Sequence, residues 1–185
     1  MDFAFKFLDR KGELIDASHF DCASYHLNAE DSAERDTQRL LLNLYFRILV
    51  LVPTQARNWL FGCTRAVRSE VERFTEKFIS PFVIEDALRH VSEWACRQTT
   101  TEEKKLQVKV LKREVMAGYE VEDRTVQVHI VFPSEYPLQQ AAVKGNNSIG
   151  IEDKKWEAWL ISAKGAITFS VTLVPGQNLP TRCCF

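Results

Sequence analysis

"VFPSEYPLQQ", Val131 to Gln140, follows directly on an alternating run and sets two prolines, a tyrosine and a carboxylate within ten residues. Proline fixes φ at about −65° and lacks a backbone donor, so neither Pro133 nor Pro137 suits continuation of a paired strand. The stretch therefore reads as a stiff turn that closes a sheet. Tyr136 is expected to anchor that turn, its ring packed underneath and its hydroxyl bonded to the backbone. Pro133 and Pro137 restrict the loop and lower its unfolded entropy.

Upstream of the turn the apolar residues recur every second position. Val126, Val128, Ile130 and Phe132 alternate with Gln127 and His129. Val115, Ala117, Tyr119 and Val121 alternate with Met116, Gly118 and Glu120, and Leu106, Val108 and Val110 with Gln107 and Lys109. A period of two with polar partners predicts strands with one wet face, and short turns such as Glu122-Asp123-Arg124 predict antiparallel neighbours. Downstream, a short fourth strand is expected near Gln140–Lys144, then a turn over "KGNNSIG". "EDKKWEAWLISAKG" reads as a helix packing Trp156, Trp159, Leu160 and Ile161, with Glu152 and Asp153 at its positive end. A four-stranded meander with a covering helix is an α+β layer.

The first half of the chain has the helical period instead. Leu41, Leu44, Tyr45, Ile48, Leu49 and Val52 share one face, Asp31 or Ser32 can cap it, and Pro53 ends it. Val67, Val71, Phe74 and Phe78 form the stripe of a second amphipathic segment, which Ser80-Pro81 is expected to break. Ile84, Ala87, Leu88, Val91 and Trp94 or Ala95 line the next helix. Consecutive helices with short, proline-marked joints suit a bundle or the end of an α-solenoid. "FAFKFL" is open to helix or strand, and "DASHFDCASYHLNAED" reads as a loop. The expected organisation is a helical segment over 1–97, a polar linker over 98–105, an α+β domain over 106–170 and a tail over 171–185.

Composition bounds the function. Lys+Arg 24 against Asp+Glu 25 leaves no bulk field for nucleic acid or anionic membrane. Residues 101–170 alone carry ten of each sign, so a protein surface is a better partner than DNA or an RNA groove. "RLLLNLYFRILVLV" contains Asn43 and Arg47 and is too short to span a bilayer. Asp2 and Lys6 argue against a secretory signal. Five widely spaced cysteines, an odd number, read as reduced thiols of a cytosolic or nuclear protein.

The order of meander, Tyr136-Pro137 turn and helix resembles the RWD domain, a non-catalytic relative of ubiquitin-conjugating enzymes. The second proline usual in that turn is absent; Gln140 and Ala141 stand where it would fall. The longer run "REVMAGYEVEDRTVQVHIVFPSEYPLQQAAVKGNNSIGIEDKKWEAWLISAKGAI", with "LVPTQARNWL" and "VERFTEKFISPFVI" before it, is similar to the listerin family of RING-type E3 ubiquitin ligases. The resemblance covers roughly residues 38–170. It implies a HEAT-like solenoid end followed by an RWD domain. It further implies docking on large-ribosomal-subunit proteins near the exit tunnel, as part of the ribosome-associated quality-control complex that marks stalled nascent chains with ubiquitin. The implied compartment is the cytosol. Loops carry recognition, so Glu135, Gln139, Lys144, Asn146 and Asn147 are the candidate ribosome contacts. Pro133, Tyr136, Pro137, Trp156 and Trp159 are the candidate structural anchors.

The chemistry of transfer is not expected within the chain. Between Cys96 and Cys183 there is no thiol to carry a thioester, and Asn146-Asn147 lacks the His-Pro-Asn context of conjugating enzymes. The family's RING holds zinc and recruits the conjugating enzyme, but after Ser170 only the adjacent Cys183 and Cys184 appear, with no histidine beyond His129. Two neighbouring thiolates cannot make a tetrahedral site. The expectation is therefore no catalytic residue and no cofactor here, and a chain inactive alone. His19, Cys22 and His26 could converge on a metal but lack a fourth ligand. Arg57, Arg65, Arg68, Arg73 and Lys77 could form a basic face, weighed against pairing with Glu70, Glu72 and Glu76. No Gly-rich phosphate loop or Gly-x-Ser-x-Gly elbow is present. The rival function is a non-catalytic RWD-type interaction scaffold unrelated to ribosomes.

Overall fold

A computed structural model describes residues 21–25, 32–98, 106–121, 124–147 and 151–169. The expectations for "FAFKFL", His19, His26, the tail over 171–185 and residues 99–105 of the linker expected over 98–105 lie outside these residues, and Gln98 ends a helix. Four helices come first: α1 Ala33–Leu51, α2 Pro53–Gly62, α3 Arg65–Phe74 and, after a π turn Thr75–Ile79, α4 Ser80–Gln98. The sheet follows as β1 Leu106–Val110, β2 Glu114–Val121, β3 Arg124–Val131 and β4 Ala142–Asn147, and α5 Asp153–Phe169 closes the order. The four strands pair antiparallel in sequence order, so the fold is α+β as the periodicities predict.

Helix starts follow local chemistry. The Ser32 hydroxyl accepts from Arg35 N–H at 3.3 Å, and Thr64 accepts from Val67 N–H. Pro53 opens α2, where its missing N–H costs no bond. Two stripes differ from the sequence reading. On α1 the buried apolar residues are Leu42, Tyr45 and Leu49, whereas Leu41, Leu44 and Val52 are exposed. Every leucine of that run competes for the core, and the face holding Asn43 wins because its side chain donates to Cys22 O at 2.9 Å and accepts from Arg47 Nε at 3.0 Å. On α3, Val67 is exposed while Val71 and Phe74 are buried.

Ser80-Pro81 does not break the helix. The five-residue π turn widens the ladder, with Ser80 N–H bonding back to Thr75 O immediately ahead of the proline ring. Thr75 is fully buried there. Its hydroxyl donates to Val71 O at 2.7 Å, so the Tyr45 O–H, 2.6 Å away, must donate to Thr75. Phe74 lies between Tyr45 and Phe78, with ring centroids 6.3 and 5.1 Å away.

The sheet has two unlike faces. Lys109, Met116, His129 and Lys144 are in register across all four strands on the polar face. On the other face, Val110, Val115, Ile130 and Val143 are in register, and the first three join the core of the helices. That core runs without interruption from Leu49, Phe74 and Ile79 to Val115, Phe132, Tyr136 and Leu138. The helical and sheet portions therefore share one apolar interior, the dominant favourable term in folding.

β4 runs through Lys144-Gly145-Asn146-Asn147, where a turn was expected. Gly145 faces Val128 and Asn147 faces Gln127, so Asn146 is the extra residue of a bulge. Glycine is required at 145 because the Trp156 indole of α5 lies directly on it. A Cβ there would come within 2.7 Å of Trp156 Nε1. Trp156 and Leu160 are half-buried, but Trp159 is 50 % exposed and Ile161 68 %. The expectation that Trp159 anchors the core is thus corrected. α5 meets the sheet at β4, and position 159 falls outside the Trp156, Leu160, Ala163, Ile167 stripe that is turned inward.

Gly145→Ala should therefore lower stability by about 1–3 kcal/mol, read as a fall of several degrees in Tm. Gly118→Ala, whose Cβ would meet Gln127 Cγ and Thr125 Cγ2 at 3.7 Å and Gln107 O at 3.9 Å, all ordinary contacts, should change little. In a Trp156→Ala background the Gly145→Ala penalty should largely vanish; a penalty of equal size there would show that the indole is not its cause.

Candidate functional site

The Tyr-Pro turn is held at both ends by arginines. At its entry, Phe132 N–H donates to Arg113 O at 2.9 Å. The Arg113 guanidinium returns two bonds to Phe132 O, Nε at 3.2 Å and Nη2 at 3.0 Å. At its exit, Arg57 Nη1 donates to Pro137 O at 2.9 Å and Nη2 to Thr54 Oγ1 at 3.1 Å. Inside the turn Tyr136 N–H reaches Pro133 O at 3.2 Å, and Leu138 N–H reaches Glu135 O at 2.8 Å. The Tyr136-Pro137 peptide is cis.

Tyr136, Pro137 and Leu138 are buried, and Pro133 is half-buried. The Tyr136 ring stands edge-on to Phe132, with centroids 5.0 Å apart. Its hydroxyl makes no hydrogen bond with the described residues, contrary to the bond expected from the sequence. Burial pushes the phenol above its ordinary pKa, offset in part by the nearby Arg57 charge. Burial likewise pulls Arg57 below the usual guanidinium range, offset in part by Tyr136. A cation 7 % exposed with no carboxylate beside it among the described residues is costly, so its two hydrogen bonds are what make the burial tolerable.

The five candidate contact residues do not form one cluster. Glu135 is half-buried in the turn and Gln139 is exposed just after it. Lys144 is exposed on the polar face of β4, in register with His129, whose Nε2 lies 3.0 Å from Glu114 Oε2. Asn146 is exposed at the bulge and Asn147 ends the strand. Glu135 and Gln139 thus lie in and just after the turn, and Lys144, Asn146 and Asn147 lie on β4, the last strand in the sheet order.

The proposed basic face resolves differently. Arg57 is inside, not on it. Arg68 donates to Leu60 O and Phe61 O at 3.3 and 2.8 Å, capping the end of α2. Lys77 sits 4.6 Å over the Phe78 ring. No ion pair joins Arg65, Arg68, Arg73 or Lys77 to Glu70, Glu72 or Glu76 among the described residues, so the expected i,i+4 pairs do not form. The signal for Arg57 was in the sequence. Pro53, Ala56, Arg57 and Leu60 make one helical stripe, and an arginine on such a stripe is buried. Nothing in the pattern marked Arg113.

Cys22 is not poised as a nucleophile. Burial pushes the Cys22 thiol up to about 11, with Asp21 adding to the shift, and such a thiol stays protonated near neutrality. Cys63 Sγ donates to Trp59 O at 3.4 Å. Among the described residues no three His, Cys, Asp or Glu side chains converge as metal ligands, and no helix is long and apolar enough to cross a membrane.

Residues 1–92 match the LTN1 family HEAT repeat region, and residues 105–170 match the ubiquitin conjugating domain-like family. A relative named E3 ubiquitin-protein ligase listerin, from Neurospora crassa, is 31 % identical over 83 % of this chain and 10 % of its own length. The chain belongs to the listerin family. The Saccharomyces cerevisiae listerin is 30 % identical over 60 % of the chain and 7 % of its own length. The Gallus gallus listerin is 25 % identical over 83 % and 9 %. The chain thus spans about a tenth of the listerins that it matches, and it resembles their HEAT and conjugating-like portions.

If Arg57 latches the turn, Arg57→Ala should cost about 1.5–3 kcal/mol in urea unfolding, the range for a hydrogen bond to a charged group. Arg57→Lys, a single donor centre without the fork, should recover only part of that loss. Arg65→Ala and Arg73→Ala, both exposed, should stay within about 0.5 kcal/mol. Equal effects at all three arginines would contradict the latch.

Proposed function

We propose that this chain is the ribosome-docking portion of a listerin-type E3 ubiquitin ligase. Its partners are proteins of the large ribosomal subunit near the exit tunnel, and its setting is the cytosolic ribosome-associated quality-control complex. One observation carries the reading. A turn and the edge strand β4, unpaired on its outer side among the described residues, with Gln139, Lys144 and Asn146 exposed, stand on a core shared with the solenoid-type helices. A rigid edge of this kind binds without rearranging, so little ordering entropy opposes association. The even charge balance of the chain favours protein surfaces over bare RNA phosphates.

Transfer of ubiquitin is positional in this scheme. A conjugating enzyme recruited by a RING brings its thioester close to a lysine, and effective concentration lowers the barrier. The residues described here supply docking and reach. The conjugating-like domain has no cysteine between Cys96 and Cys183, so it keeps the shape for binding rather than for a thioester. The described side chains do not fit a zinc site, and no step of the proposal runs through zinc.

Co-sedimentation with purified large subunits at moderate salt tests the docking. The chain should pellet with large subunits and not with small ones, and a Gln139→Ala, Lys144→Glu, Asn146→Ala triple variant should pellet several-fold less. Recovery in the supernatant at the level of an albumin control would overturn the proposal and favour the scaffold reading. Ubiquitin chains formed by these 185 residues with a charged conjugating enzyme would overturn the non-catalytic role.

A further inference from the structure

A cavity of about 670 Å³ opens where α4 meets the β1–β2 hairpin and the start of the Tyr-Pro turn. That volume lies within the range of ligand pockets. Ile84 and Leu88 of α4 and Val110 of β1 give it an apolar floor. Ser80 also lines it; this residue is 1 % exposed, and its hydroxyl has no hydrogen-bond partner. A buried hydroxyl without a partner costs free energy, and here it lies beneath the cavity wall rather than open to it.

The rim carries charge of both signs, held apart. Lys112 and Arg113 stand on the hairpin side, and Glu76 and Glu85 on the helix side. None of the four makes an ion pair with the described residues. Arg113 gives its two bonds to a neutral carbonyl, so its charge is not neutralised. Arg89, by contrast, is taken up by Asp86 at 2.5 Å and Glu93 at 2.8 Å. The free rim charges therefore ask for an acid over the hairpin and a base over the helix, on either side of an apolar group.

We propose that this cleft binds an extended peptide segment in which one apolar side chain is flanked by an acidic residue on one side and a basic residue on the other. The apolar side chain drops between Ile84, Leu88 and Val110. The carboxylate meets Lys112 and Arg113, and the cation meets Glu76 and Glu85.

Fluorescence anisotropy of the whole chain with a labelled dodecapeptide tests this. The probe places aspartate two residues before a central leucine and lysine two residues after it, in a glycine-serine background. Saturable binding is expected, with at least about fivefold weaker binding when leucine becomes serine or when both charges become glutamine. Lys112→Glu and Glu85→Lys alter exposed, unpaired side chains, so they should keep the fold by circular dichroism. Each should weaken the charged probe by up to about fivefold and leave the glutamine probe unchanged. No saturation up to about 1 mM, a limit near −4 kcal/mol, or equal binding by both variants would overturn the proposal.

Discussion

A single buried cation decides how the two halves of this molecule meet. Arg57 sits on the inward stripe of α2, yet its bond goes to a carbonyl eighty residues away, Pro137 O. Placing a guanidinium in an apolar interior is unfavourable unless its donors are used. The arrangement seen here uses them by bringing the Tyr-Pro turn onto the helices. Phe132, Tyr136 and Leu138 then join the same interior as Leu49, Phe74 and Ile79. Sheet and helices consequently cannot move independently without exposing both an apolar surface and an unpaired charge.

This constraint gives the conjugating-like shape its use. In the turn a thioester enzyme would place its chemistry next to a nucleophile. Here the turn is filled with a tyrosine ring, two prolines and two arginine clamps, and no thiol lies in the sheet or the turn. What remains is a firm edge, β4, whose polar face carries Lys144 and whose bulge displays Asn146. On its other face Gly145 admits the Trp156 ring, which fixes α5 against the strand. The chain is similar to listerins over both portions.

Most of the architecture was legible in the residues because period is a strong signal. Alternation placed β1, β2 and β3, and steps of three and four placed the helices. Failures came where a second force overrode period. On α1 leucines occur all round, so apolar spacing alone could not choose a face; the hydrogen bonds of Asn43 chose it. Ser80-Pro81 reads as a break, but a π turn absorbs the ring. "KGNNSIG" has turn composition, yet the indole of Trp156 needs a glycine inside a strand. Trp159 shares a helix with Trp156 but not its inward stripe. In the candidate site, Tyr136 and Pro137 stood out locally; the stripe of α2 marked Arg57 as buried but not its partner eighty residues away, and nothing marked Arg113, because these contacts are distant in sequence.

The central claim is that helices and sheet form one cooperative unit around Arg57 and the turn. Urea unfolding followed residue by residue through amide signals tests it directly, with Tyr45 and Phe74 reporting on the helices and Val128 and Ile130 on the sheet. One shared midpoint for all four is the predicted result. A sheet that melts more than about 1 M urea away from the helices would contradict the account.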